Sequence, residues 1–189
     1  MKIFLFFTVL IISISCKSQN IYPLGTHTVP NGSYVKDLNN ELDPYVGTWI
    51  ANYNGKKITL YLTKEINRSF KQPDLVSTYF SDALIIKYSI DDFSSGLALH
   101  VADNFSSTDE TSKDFISSFA VRSIGVKSYY TGTNCGVGYG EIILKLLNAT
   151  QFNWRFQPWS STLTTENCPG NPDLTVHLPI TNTLVFTKQ

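Results

Sequence analysis

The sequence predicts an all-β protein: an antiparallel up-and-down meander of about eight strands closing into a barrel, with a two-sheet β-sandwich as the alternative. Three observations predict it. Aromatics reach 13% and charged residues only 16% of the 189, against roughly 25% charged in soluble domains, with Thr, Ser and Asn filling the gap. Apolar and polar side chains alternate with period two in one segment after another, the pattern of strands with one wet face. Short turns separate these segments, which forces neighbouring strands to run antiparallel. With 42% hydrophobic residues the chain can bury a core, so wholesale disorder is excluded.

At the N-terminus, Met1-Lys2 precedes ten residues, 3–12, that are apolar except for Thr8. Ten residues rise about 15 Å as a helix, half of a hydrocarbon core, too short to span a bilayer. Followed by Ser13-Ile14-Ser15-Cys16, the stretch reads as a secretory signal peptide over residues 1–15. A Cys directly after a small residue resembles the lipobox of bacterial lipoproteins, whose sulfur receives a diacylglycerol and whose Cys begins the mature chain. Ser13 stands where that motif usually carries Leu. With Lys17-Ser18-Gln19 behind it, the site looks like the relaxed lipoboxes of Bacteroidota envelope proteins. The resemblance implies lipidation of Cys16 and a membrane partner reached through that lipid, each buried methylene contributing ~0.8 kcal/mol. Lys17 is not the Asp that retains such proteins in the inner membrane of enteric bacteria, which implies the periplasmic side of the outer membrane. The alternative is an ordinary secretory signal with Cys16 incidental.

Residues 16–43 are polar and punctuated by Pro23, Gly25, Pro30, Gly32 and Asn39-Asn40. They read as the lipidated Cys and a flexible tether, with the barrel domain spanning 44–189. Residues 45–53 read as a strand, and Asn54-Gly55 is a strong hairpin signal. Residues 57–63 alternate, with Ile58, Leu60 and Leu62 on one face. A polar loop is expected over 65–74. Further strands are expected around Leu84 to Ile90 and Leu97 to Val101, then a polar, acidic tip over 103–114. Residues 115–130 form one long strand or two, with Gly125 at a bulge or bend. Residues 141–147 and 151–157 are strands, the latter with Phe152, Trp154 and Phe156 on one face. Residues 175–178 and 184–187 close the chain.

Gly47-Thr48-Trp49, the Asn-Gly hairpin behind it and the ending Leu184-Val185-Phe186-Thr187-Lys188 resemble the opening and closing strands of lipocalins and lipocalin-like domains. Taken whole, the chain looks like small lipocalin-like lipoproteins of Bacteroidota. That resemblance implies an eight-stranded barrel plugged at one end by Trp49, with an interior able to hold a small apolar ligand. One departure stands out. Lipocalins place a late Arg over the Trp, whereas here the last Arg is Arg155 and only Lys188 lies near the end. The alternative is that Trp49 is simply a core aromatic.

Cys135 and Cys168 remain once Cys16 is assigned to the lipid, an even number in an oxidising compartment. A disulfide between them closes a loop worth ~3–4 kcal/mol in the chain-entropy picture. A Cys nucleophile paired with His27, His100 or His177 is the alternative, without a surrounding signature. Zero net charge and only Arg68, Arg122 and Arg155 as arginines argue against a nucleic-acid partner. The glycines at 136, 138 and 140 run into a strand rather than a helix, so they do not form a dinucleotide fingerprint. The widely spaced His residues predict no metal site. The adjacent acids Asp91-Asp92 and Asp109-Glu110 would point to opposite faces of a strand and read as turn residues.

The aromatic cluster of Phe152, Trp154, Phe156 and Trp159 around Arg155 reads either as core or as a stacking platform for a ligand. Trp159, behind Pro158 at the start of a long loop, is the best surface candidate. The tentative ligand-binding residues are therefore Trp49, Trp154 and Trp159. The expected function is that of a monomeric envelope lipoprotein without cofactor or catalysis that binds a small apolar ligand inside its barrel. The alternative is a protein- or glycan-interaction module using the loops at 131–140 and 158–172, joined by Cys135–Cys168. A barrel filled by its own side chains would favour the second.

Overall fold

The computed structural model describes residues 19–71, 78–102 and 113–189. The expected signal segment, Cys16 and the pair Asp109-Glu110 lie outside the described residues. The strands in chain order are β1 (Ile21–Pro23), β2 (Tyr34–Lys36), β3 (Gly47–Tyr53), β4 (Lys56–Lys71), β5 (Thr78–Asp92), β6 (Ala98–Ala102), β7 (Ile116–Arg122), β8 (Gly125–Tyr130), β9 (Gly140–Asn148), β10 (Gln151–Pro158) and β11 (Leu184–Lys188). Eight of them, β3, β4, β5, β7, β8, β9, β10 and β11, form a closed antiparallel barrel in meander order, the lipocalin-like architecture. The last strand seals it against the first, with Lys188 opposite Trp49. The other seam is narrow: Ile85 faces Ser117, and the Leu84 N–H donates to Ser118 Oγ at 2.7 Å.

Period-two alternation puts one face of every barrel strand inside. Trp49, Leu60, Ile86, Tyr130, Leu144, Phe152, Trp154 and Phe186 are all wholly buried. Gly125 opens β8 at φ 127°, where it lies so close to the Leu144 carbonyl of β9 that a Cβ would collide with it. Its role is this close approach after the β7–β8 hairpin, since residues 115–130 are two strands rather than one.

Three expectations are corrected. The polar loop expected from residue 65 is strand as far as Lys71. A bulge between Glu65 and Arg68, with Asn67 at φ 56°, lets β4 continue its pairing with β5. The stretch 175–178 joins no ladder; its alternation reflects Val176 and Leu178 packing on the core without strand partners. And the flexible tether is, from residue 19 onward, part of the fold. β1 pairs in parallel with β2, and β2 with the start of β5.

Two buried carboxylates hold that N-terminal segment. Asp82 accepts from Tyr34 Oη at 2.5 Å and from the backbone N–H groups of Asp37 and Asn67, both at 3.0 Å. Asp37 accepts from the N–H groups of Glu41 and Leu42 and pairs with Lys64 Nζ at 2.8 Å. Burial alone would raise the Asp37 carboxyl, but Lys64 and the two N–H donors outweigh it and hold its pKa below the usual range. Arg122 donates to the Gly25 carbonyl and ties the same segment to the β7–β8 hairpin.

Candidate functional site

The outer face of β8, β9 and β10 carries the candidate site. Its residues are the polar halves of alternating strands whose inner halves build the core. Register aligns them in rows: Tyr129, Glu141 and Gln157; then Lys127, Ile143 and Arg155; then Lys145 and Asn153. A groove of about 500 Å³ lies over Ile124, Ile143, Lys145, Asn153, Arg155 and Asn182. A smaller hollow of about 110 Å³ adjoins it over Ile143 and Arg155 and ends against Glu141, Gln157 and Trp159.

Trp159 is 49% exposed although aromatic neighbours hold it. Tyr139 meets its ring edge-on at 5.4 Å and Tyr129 tilts against it at 6.0 Å. Its backbone N–H donates to the Tyr139 carbonyl at 2.8 Å. The disulfide Cys135–Cys168 closes the loops beside it, and Ser161 Oγ donates to the Gly136 carbonyl across the same junction. The expected covalent link between the 131–140 and 158–172 loops is therefore present.

The other two aromatic candidates go elsewhere. Trp49 and Trp154 have no accessible surface, and neither have Phe152 and Phe186. A cavity large enough for a water would leave area on the side chains lining it. Instead Trp49 packs on Phe152 at 4.5 Å, Phe152 stacks on Phe186 at 5.3 Å, and Trp154 meets Phe186 at 5.7 Å. Trp49 Nε1 donates to the Tyr45 carbonyl at 2.7 Å and Trp154 Nε1 to the Pro179 carbonyl at 2.9 Å. These rings are core, and an apolar ligand beside Trp49 has no place among them. Lys188 Nζ sits 5.2 Å from the Trp49 ring centre, a Lys where the resemblance called for an Arg.

A second cluster was not legible from spacing. Asp114 Oδ1 accepts from Tyr88 Oη at 2.7 Å and Tyr130 Oη at 2.8 Å. Asp114 Oδ2 lies 3.2 Å from His100 Nε2, out of line for a hydrogen bond, and His100 stacks on His177 at 4.1 Å. Burial, then the neighbouring Tyr130 and Asp114, push the Tyr88 phenol far above the ordinary tyrosine range; burial and Asp114 do the same for Tyr130 against the opposing hydrogen bond from Tyr88, so both act as permanent donors. This unites the His and the carboxylate that a hydrolase would need. Among the described residues no three His, Cys, Asp or Glu side chains could hold a metal ion. Through the stack of His177 on His100, the cluster also forms a knot between the 172–178 segment and β5, β6 and β8.

That knot has a pH signature. Burial, then the charges of His100 and Lys56, lower His177 below its usual 6.5, against the opposing pull of Asp114 and Asp173. A histidine more acidic when folded binds its proton more readily in the unfolded chain. Its contribution is therefore complete above pH 6.5 and is lost as pH falls through 6.5 toward the folded value. The melting temperature should fall as pH drops below 6.5, and His177→Gln should flatten that slope. An unchanged slope in the variant would refute the assignment.

The closed meander, its packed aromatic core and its open outer groove define a lipocalin-like β-barrel. The chain belongs to DUF6705, a family of unknown function, matched along residues 1–189. No curated protein and no solved structure matches it. Among the described residues no helix is long and apolar enough to cross a membrane.

Proposed function

We propose that this chain is a lipid-anchored, non-catalytic interaction module of the cell envelope, similar to lipocalin-like lipoproteins of Bacteroidota. It is a monomer, held through Cys16 on the periplasmic side of the outer membrane, and engages a glycan or protein partner with the face that carries Trp159. The carrying observation is the half-exposed Trp159, gripped by two tyrosines beside the disulfide and overlooking an open groove, while the barrel interior around Trp49 is packed. A fixed aromatic presents apolar area at little entropic cost on binding. The leader supports the anchor: a short apolar stretch, a small Ser15 and then Cys16. Gln19 already hydrogen-bonds the Gly32 carbonyl. Three residues extend at most about 11 Å, so a lipid on Cys16 would hold the barrel close to the membrane.

Two measurements test this reading. In the native host, an alkyne-tagged fatty acid should label the full chain and leave Cys16→Ala unlabelled; equal labelling would refute the anchor. The purified chain should be retained on delipidated envelope fragments of that host, with Trp159→Ala lowering retention about tenfold and leaving circular dichroism unchanged. Equal retention of the variant would refute the contact face.

A further inference from the structure

Resting on that contact face, we propose that the groove over β9 and β10 is a subsite for a carboxylate-bearing saccharide chain. Its floor is a row of polar groups that the fold itself does not use. The side chains of Lys145, Asn153, Arg155, Gln157 and Asn182 make no hydrogen bond or ion pair among the described residues, yet all five line the groove or its adjoining hollow. Folded domains leave single surface polar groups idle everywhere, but these converge on one concave strip.

Asn153, Arg155, Gln157 and Trp159 follow one another at two-residue intervals. A strand rises ~3.3 Å per residue, so the four mark a track of about 20 Å. A short oligosaccharide is long, thin and rich in hydroxyls, and it matches a line of amide donors and acceptors ending at an aromatic face. A protein partner fits less well. Interfaces between proteins centre on an apolar core depleted of Lys, Asp and Glu, whereas here Lys145 and the amides of Asn153, Gln157 and Asn182 line the strip and the aromatic lies at one end.

Charge decides which saccharide. Glu141 is neutralised by Lys127 at 2.6 Å. Among the described residues Lys145 and Arg155 therefore stand as cations without counter-ions, although the whole chain is formally neutral. Arg155 can take a carboxylate in a bidentate fork, and Lys145 adds a point charge beside it. Trp159 supplies the stacking face for a ring.

Full-chain protein should be titrated with polygalacturonate, with its fully methyl-esterified form and with polyglutamate, reading tryptophan fluorescence and calorimetric heat. Polygalacturonate should bind, at least tenfold more tightly than either control, and more weakly as salt is raised. Arg155→Gln and Trp159→Ala should each weaken it about tenfold with unchanged melting temperature. Equal binding of the ester would overturn the role of charge, and equal binding of polyglutamate would overturn the saccharide. Binding of none of the three, with retention on envelope fragments still dependent on Trp159, would overturn the ligand class and leave the contact face standing. Loss of that dependence would overturn the contact face as well.

Discussion

Trp49→Ala is expected to lower the free energy of unfolding by about 3–5 kcal/mol, the range for deleting a large buried aromatic. This is a large share of the roughly 5–15 kcal/mol that holds a domain together. Three losses combine at this position. The indole is wholly buried and packs on Phe152 at 4.5 Å, so truncation leaves a void that β3 and β11 cannot close without breaking their pairing across the barrel seam. The Tyr45 carbonyl loses the Nε1 donor 2.7 Å away. Lys188, which also donates to the Pro44 carbonyl at 3.1 Å, loses the ring beneath it. Trp49→Phe separates the terms: it keeps much of the volume, drops the donor and should cost about half as much. Lys188→Met should cost about 1 kcal/mol or less, as a cation–π contact at a partly exposed site. Urea unfolding checks all three through the midpoint at constant slope. A Trp49→Ala cost below about 1.5 kcal/mol would mean that the core around this ring is loose, and it would revive an interior ligand site.

The barrel was legible because its strands carry their own signal. Phe152, Trp154 and Phe156 alternate with Asn153, Arg155 and Gln157, so both faces of β10 can be read from eight consecutive residues. The groove's floor is present in that same pattern, as its polar half. Three features were not legible, for one reason: their partners are remote in sequence. The segment before residue 44 looks like a linker by its prolines, glycines and asparagines. It is ordered by Asp82, 45 residues beyond Asp37 and 48 beyond Tyr34. The far half of β4 is polar because it runs past the barrel core, and only its pairing with the start of β5 makes it strand. The cluster at Asp114 draws its members from β5, β6, β8 and the segment before β11, which no spacing rule brings together. Trp159 was the exception, because Pro158 and the loop behind it announce a strand exit where a large ring is hard to bury.

The Asp114 cluster gives the second large effect. Asp114→Ala should cost about 4 kcal/mol or more. The phenols of Tyr88 and Tyr130 are buried and lose their shared acceptor, at about 1–3 kcal/mol for each donor left unsatisfied. The backbone adds to this, since Asp114 sits at φ 61°, in the left-handed region where alanine is strained by roughly 1–2 kcal/mol. Asp114→Asn is the decisive comparison. Its carbonyl oxygen can still accept from both phenols, asparagine tolerates the left-handed conformation, and only the negative charge facing His100 is gone. It should therefore cost no more than about 2 kcal/mol. Removing donors instead of the acceptor should be milder still: Tyr88→Phe or Tyr130→Phe leaves the carboxylate with one phenol and so costs about 1–1.5 kcal/mol each. Denaturant titration at pH 7 measures the whole series. If Asp114→Asn proves as damaging as Asp114→Ala, the stabilisation comes from the charge opposite His100, not from the phenol bonds. A double-mutant cycle with His100→Gln would then recover most of the loss as coupling energy.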